Sequence, residues 1–295
     1  MFTFHGAWPA LVTPFSPDDT INTNVLQDMV EHHLAKGIGG FYLCGSTGEG
    51  MFLSVAERKL VAEVVLSQVK GRAPVIVHVG AVVARDAADL ARHAAEHGAA
   101  GISSVLPPLF DNVPSLHAYF EMLAAAAPDL ALLPYLYGGP TSAVTLMRQL
   151  MPIPTVAGAK YTGPNMYEFS QIVALKGDSW AVFSGMDEQC VFAAMSGASG
   201  NIGSTVNLMP GVYREIHKAY RAGDLARGLE LQQRANAVTA TLIETGLMGS
   251  LKMALEMLGF PCGGLRLPRL MPNGSVRSDL FARLEACGLL ELAEM

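Results

Sequence analysis

Lys160 stands in the run Thr155-Val156-Ala157-Gly158-Ala159-Lys160-Tyr161-Thr162, a charge placed among small and apolar residues. Read as a β-strand, the run puts Val156, Gly158, Lys160 and Thr162 on one face and Ala157, Ala159 and Tyr161 on the other, which turns the lysine inward. A lysine held partly out of water loses its preference for the charged form, and the neutral amine can attack a ketone to give a Schiff base. The competing reading is a lysine at a strand end that reaches its ammonium to water or to a carboxylate.

Two other stretches offer complementary groups. Gly45-Ser46-Thr47-Gly48-Glu49 combines turn-forming glycines, two hydroxyls and successive backbone N–H groups, which suits a carboxylate or phosphate. The same composition also makes an ordinary turn, and the Lys-Ser/Thr pair of a nucleotide-binding P-loop is missing. Tyr137, in Leu136-Tyr137-Gly138-Gly139-Pro140, is either a phenol placed to relay protons or a ring that packs. Pro134 lies just upstream, and a proline inside a paired strand leaves the choice between Tyr135 and Tyr137 open. Gly185-Met186-Asp187-Glu188 and Gly203-Ser204-Thr205 add donors and acceptors suited to a polyhydroxylated ligand. Asp187 and Glu188 would serve equally as acids at a helix N-terminus.

His93-Ala94-Ala95-Glu96-His97 matches the H-x-x-E-H pattern of some zinc hydrolases. It reads instead as the end of an amphipathic helix before Gly98, where histidine complements the helix dipole. A zinc hydrolase built on His93 and His97 stays as a distinct alternative, but no bound metal is expected, because the motif needs a structural context that the rest of the sequence does not supply.

These groups need a scaffold that delivers them to one place. Short apolar runs alternate with longer amphipathic stretches. Strands are expected near Trp8–Thr13, Gly40–Cys44, Val75–Val79, Gly101–Leu106, Leu130–Tyr137, Thr155–Thr162, Trp180–Ser184 and Gly200–Ser204, with helices between them, including Asp187–Met195 and Pro210–Arg221. Eight strand-helix units predict an α/β fold, a (β/α)8 TIM barrel, in which strand C-termini and the loops after them build the active site. Lys160, Tyr137 and the three glycine-containing segments all fall there. Strand signals stop near residue 222. Residues 1–222 are therefore expected to form the catalytic barrel and 223–295 a C-terminal helical domain, with helices over Asp224–Thr245, Ser250–Leu258 and Ser278–Leu292.

The 295 residues carry a net charge of -6, which gives no general attraction to nucleic acid or to anionic membrane. The start shows no signal-peptide pattern and no apolar run reaches membrane-spanning length, so a soluble cytoplasmic protein is expected. Cys44, Cys190, Cys262 and Cys287 are far apart and form no C-x-x-C pair, so packed thiols are expected rather than disulfides or a zinc site.

Taken together, Gly45-Ser46-Thr47-Gly48-Glu49, Tyr137 and Gly158-Ala159-Lys160 resemble the signature of the dihydrodipicolinate synthase/N-acetylneuraminate lyase family of pyruvate-dependent class I aldolases. The resemblance runs from Leu11-Val12-Thr13-Pro14-Phe15 to Thr245-Gly246-Leu247-Met248 and Leu251-Lys252. It implies a barrel with a C-terminal helical domain, assembled as a homotetramer, with no cofactor beyond the covalent Schiff base. By position, Lys160 would form that Schiff base and Tyr137 would relay protons. Ser46 and Thr47 would hold the pyruvate carboxylate. The second half is most similar to the N-acetylneuraminate lyase branch, which implies that Asp187, Glu188 and Ser204 contact substrate hydroxyls, with Thr162, Gly185 and Gly203 in support.

Where the synthase branch has a tyrosine this chain has Leu109, and Thr141-Ser142-Ala143 replace that branch's arginine, which disfavours dihydrodipicolinate synthesis. Gly138-Gly139-Pro140 in place of Asn-x-Pro, a shortened link to Lys160, and Met257 where the lyases often carry an aromatic all border the distal end of the substrate. The expectation is an aldolase acting on N-acetylneuraminate or a related 2-keto-3-deoxy sugar acid. A 2-keto-3-deoxy sugar acid aldolase or dehydratase and a non-catalytic keto-acid sensor are the alternatives.

Overall fold

The computed structural model describes residues 3–107, 112–137, 141–175 and 180–295. Leu109 and Gly138-Gly139-Pro140, which carry two of the sequence departures, lie outside the described residues. Eight parallel strands alternate with helices: β1 (Gly6–Pro9), α1 (Thr23–Ala35), β2 (Phe41–Leu43), α2 (Val55–Val69), β3 (Val75–His78), α3 (Ala84–Glu96), β4 (Gly101–Val105), α4 (Val113–Ala126), β5 (Ala131–Tyr137), α5 (Ala143–Leu150), β6 (Gly158–Thr162), α6 (Met166–Leu175), β7 (Ala181–Ser184), α7 (Cys190–Met195), β8 (Gly200–Gly203) and α8 (Pro210–Arg221). Hydrogen-bonded order runs β1-β8-β7-β6-β5-β4-β3-β2. The ring closes where Ala10 bridges Tyr42 in parallel and the Leu11 N–H donates to the Tyr42 carbonyl at 2.9 Å. The chain is thus the expected (β/α)8 barrel, and each expected strand overlaps an observed one.

Alternation along the strands sorts their side chains into two layers. Trp8, Tyr42, Ile76, Leu133, Tyr135, Phe183 and Ile202 fill the barrel interior, while residues such as Phe41, Val77, Ile102, Leu132, Ala159 and Val182 meet the surrounding helices. Local chemistry starts the helices cleanly. Ser54 opens α2 with a capping box, its hydroxyl accepting from the Glu57 N–H while the Glu57 carboxylate accepts from the Ser54 N–H. Asn22, Asn112, Ser142 and Asp224 accept from the first turns of their helices in the same way.

After α8 come α9 (Leu225–Glu244), α10 (Leu247–Met257), α11 (Val276–Ala286) and α12 (Leu289–Glu294). The single helix expected over Ser278–Leu292 is two, because Gly288 adopts φ +77° and ends the run. Asp187–Met195 is likewise divided into a 3-10 turn, Asp187–Gln189, and α7. All four cysteines are free thiols. Among the described residues no helix is long and apolar enough to cross a membrane.

Pro134 is accommodated by a register change. Upstream of it Leu132 bridges Val156, and downstream Tyr135 pairs with Lys160, so β6 carries one more residue than β5 across this interval. That is a β-bulge. Leu132 directs both its N–H and its carbonyl to the β6 side, and alternation turns Pro134 the same way, so its missing donor falls where the ladder is already interrupted. Gly158 sits inside the bulge at φ +152°, and a Cβ there would lie 1.8 Å from the Ala181 carbonyl oxygen. The bulge also corrects the alternation expected for this strand. Val156 lies in the outer layer with Ala159 and Tyr161 rather than on the Lys160 face.

Candidate active site

The register settles how the tyrosines are placed. Tyr135 lies level with Lys160 and Tyr137 level with Thr162, so both phenols share the inner face of β5, one layer apart. Lys160 is 4% exposed. Its Nζ stands 4.0 Å from the Tyr135 ring centroid and 4.8 Å from that of Tyr42. The Tyr42 ring is held in turn, its hydroxyl donating to Ser103 Oγ at 2.9 Å, which donates to the Leu133 carbonyl at 2.6 Å. Among the described residues no carboxylate forms an ion pair with Lys160. Burial lowers its pKa to about 8, against the opposing fields of Tyr137 and Asp187. An amine with these properties is a nucleophile near neutral pH.

Above the lysine, at the mouth of the barrel, two hydroxyl pairs face each other. Ser46 Oγ and Tyr137 Oη are 2.8 Å apart, and Thr47 Oγ1 and Ser204 Oγ 2.7 Å. Desolvation pushes the Tyr137 phenol up to about 12, with Tyr135 adding to the rise and the Ser46 hydrogen bond opposing it, so Tyr137 holds its proton at neutral pH. The backbone N–H groups of Ser46 and Thr47 donate to no acceptor among the described residues, and with the two hydroxyls they present donors suited to a small carboxylate.

The loop carrying Ser46 and Thr47 lies between two non-glycine residues in left-handed conformation, Cys44 and Glu49, both at φ +55°. Its strain is offset by a clamp that the sequence reading missed. Glu49 and Lys252 form an ion pair at 2.8 Å with neither side chain exposed, and Glu49 Oε2 accepts from the Arg266 N–H at 2.8 Å. Lys252 also donates to the Gly264 carbonyl and lies over the Phe15 ring. Arg269 donates to the Ser46 carbonyl at 2.9 Å. The available signal was Lys252 itself, a charge inside the apolar run Leu251-Lys252-Met253-Ala254-Leu255, which burial obliges to find a partner.

The remaining candidate residues line the β6 to β8 side. Thr162 Oγ1 donates to the Tyr135 hydroxyl at 3.4 Å. Gly185 and Gly203 are places of close approach: a Cβ on Gly185 would lie 1.8 Å from Thr162 Oγ1 and 3.0 Å from Lys160 Cε, and one on Gly203 would lie 1.5 Å from Asp187 Oδ1. Asp187 is 4% exposed. Its Oδ1 accepts from Asn201 at 2.9 Å, and its Oδ2 from the N–H and hydroxyl of Thr205 at 2.8 and 2.7 Å. Burial still raises its pKa against those bonds. Asp187 thus ties the ends of β7 and β8 together behind the mouth. Glu188 is half-buried, its pKa is raised by burial and by Asp187, and it forms no ion pair among the described residues. Tyr42 and Asn201 complete the arrangement and are not singled out by sequence, whereas Tyr135 enters there only as the alternative to Tyr137 and Thr205 only within Gly203-Ser204-Thr205.

Comparison with known proteins adds an independent line. The family model described as the dihydrodipicolinate synthetase family matches residues 3–286. An N-acetylneuraminate lyase of Rhizobium meliloti (strain 1021) is 34% identical over 266 residues, 89% of this chain and 88% of its own length. Among solved structures, the N-acetylneuraminate lyase of Proteus mirabilis superposes with a TM-score of 0.91 at 30% identity, covering 97% of this chain and 99% of that one. A catalytic lysine mutant of the Ruminococcus gnavus sialic acid aldolase superposes with a TM-score of 0.93 at 25% identity, covering 100% and 99%.

Proposed function

The chain belongs to the dihydrodipicolinate synthetase family, and we propose from that membership and from the Lys160 pocket that it is a class I aldolase, a carbon-carbon lyase cleaving N-acetylneuraminate or a related 2-keto-3-deoxy sugar acid reversibly to pyruvate and an aldehyde. The observation that carries the reading is Lys160 itself, buried against two phenol rings beneath the paired hydroxyls of the mouth.

In the cleavage direction the neutral Lys160 amine attacks the C2 ketone, and the carbinolamine takes up one proton from solvent on its hydroxyl and loses water, which leaves a protonated imine with a positive nitrogen as electron sink. Ser46 and Thr47 hold the substrate carboxylate by hydroxyl and backbone donors. As the C3–C4 electrons move toward the imine, the C4 hydroxyl proton passes to Tyr137 while Tyr137 hands its own phenol proton through Ser46 to the substrate carboxylate, from which a proton later returns to C3. The products of that step are an aldehyde and an enamine on Lys160. Protonation of C3 and hydrolysis return pyruvate and the free amine. Glu188 and Ser204 meet the hydroxyls of the sugar chain, while Asp187, Thr162, Gly185 and Gly203 shape the wall behind them. The covalent partner is Lys160 and no separate cofactor takes part. A homotetramer acting on a small molecule in the cytoplasm is part of the same proposal.

Reduction with borohydride in the presence of pyruvate tests the mechanism. Mass spectrometry should find the adduct on Lys160, and its absence, or its location elsewhere, overturns the assignment. Pyruvate release from a panel of sialic acids and 2-keto-3-deoxy sugar acids then selects the substrate. Trapping without turnover of any of them would favour the keto-acid sensor.

A further inference from the structure

The helices around the barrel hold a group of metal-ligating side chains that the aldolase chemistry does not use. Glu63 projects from α2, and His93 and His97 from the last turn and C-cap of α3. One candidate ligand atom from each lies within 4.8 Å of the other two. His93 Nε2 is 2.8 Å from Glu63 Oε1, and the two imidazoles stack with centroids 4.0 Å apart and an interplanar angle of 28°.

The hydrogen bonding fixes one of the donors. His97 Nδ1 lies 2.8 Å from the His93 backbone carbonyl, and a carbonyl only accepts, so Nδ1 carries the proton. In the neutral ring the lone pair is then on Nε2. An imidazole whose other nitrogen donates to a carbonyl is the usual arrangement of a metal-bound histidine. His93 is 8% exposed, whereas Glu63 and His97 are exposed, so the cluster is anchored on one side and open to solvent on the other.

We propose that Glu63, His93 and His97 bind a single zinc ion that fastens α2 to α3. Two imidazoles and one carboxylate match the ligand preference of zinc, with water in the fourth position, and they match magnesium or calcium poorly. The third ligand comes from the neighbouring helix rather than from Glu96 of the H-x-x-E-H motif. Barrel helices run against their strands, so the end of α3 lies at the N-terminal face, opposite the mouth where Lys160 reacts. The ion is therefore a structural clasp between helices and not part of the reactive site.

Calorimetric titration of the intact, chelator-treated chain with zinc chloride tests the assignment. One zinc per chain should bind, magnesium should give no comparable heat, and zinc should raise the melting temperature. Glu63→Gln and His97→Gln remove exposed ligands without opening the core, and each should weaken zinc binding by on the order of tenfold or more and abolish the thermal shift. Absence of stoichiometric zinc binding overturns the proposal, as does binding of undiminished affinity in both variants.

Discussion

Lys160 Nζ lies 4.0 Å from the centre of the Tyr135 ring, and Tyr135 is its pairing partner across β5 and β6. A ring face attracts an ammonium by roughly 0.5–2 kcal/mol. That attraction favours the charged amine, whereas burial, opposed by the fields of Tyr137 and Asp187, lowers the pKa from its ordinary 10.5 to about 8. Imine formation requires the neutral amine. The rate of borohydride-trappable adduct formation with pyruvate should therefore climb by about tenfold per pH unit well below the pKa and level off above about 8. A flat profile between pH 6 and 9 would count against the assignment of the nucleophile.

The same burial has a stability signature. The folded-state pKa of Lys160 is depressed, so between about 8 and 10.5 the unfolded chain retains a proton that the folded chain has released. Stability gains from this group as pH rises through that window, and the penalty is fully present below it. Lys160→Met removes the penalty. At pH 7 the variant should unfold at higher urea than the parent, by an amount on the order of 2–3 kcal/mol, and the gap should shrink toward pH 10. Chemical denaturation at the two pH values measures both.

Tyr137→Phe keeps the ring and deletes the hydroxyl that pairs with Ser46. Loss of a proton relay should lower kcat by roughly 10²–10⁴ and leave pyruvate trapping on Lys160 intact. If trapping fails together with turnover, the hydroxyl acts in imine formation rather than in bond cleavage.

Gly158→Ala tests the bulge. The added Cβ would sit 1.8 Å from the Ala181 carbonyl oxygen, a backbone atom of the next strand, and cannot be relieved by a side-chain rotation. Destabilisation beyond about 4 kcal/mol is expected, read as loss of soluble chain or of the cooperative melt.

Lys252→Met leaves the Glu49 carboxylate buried opposite an apolar side chain, with the Arg266 N–H as its remaining partner. Removing one member of a buried pair costs about 3–5 kcal/mol. Because Glu49 ends the Ser46–Thr47 loop, KM for the keto acid should rise as well. Equilibrium denaturation and steady-state kinetics on one preparation separate the two effects.

Much of this was readable in the sequence because its signals are local. Apolar periodicity placed all eight strands, and glycine-rich strand ends marked the mouth. What escaped depends on contacts across the chain. The inward turn of Lys160 was read from simple alternation, whereas it arises from an extra residue that only the pairing with β5 reveals. Tyr135 was weighed against Tyr137 as an alternative, although both sit on one face with different neighbours. From sequence Asp187 reads as a contact to substrate hydroxyls or as an acid at a helix start, whereas its three donors come from the neighbouring β8 and the turn after it. Glu49 and Lys252 are separated by most of the chain, and nothing at either position names the other.

That separation bears on how the protein is made. A ribosome releases every barrel strand, Lys160 included, before it reaches Lys252, Arg266 and Arg269, the residues that hold the loop after β2. Domains fold as the chain emerges, N-terminal parts first. The nucleophile can thus be in place while the groups that would grip its substrate still lack their clamp, which arrives only with residues 252–269.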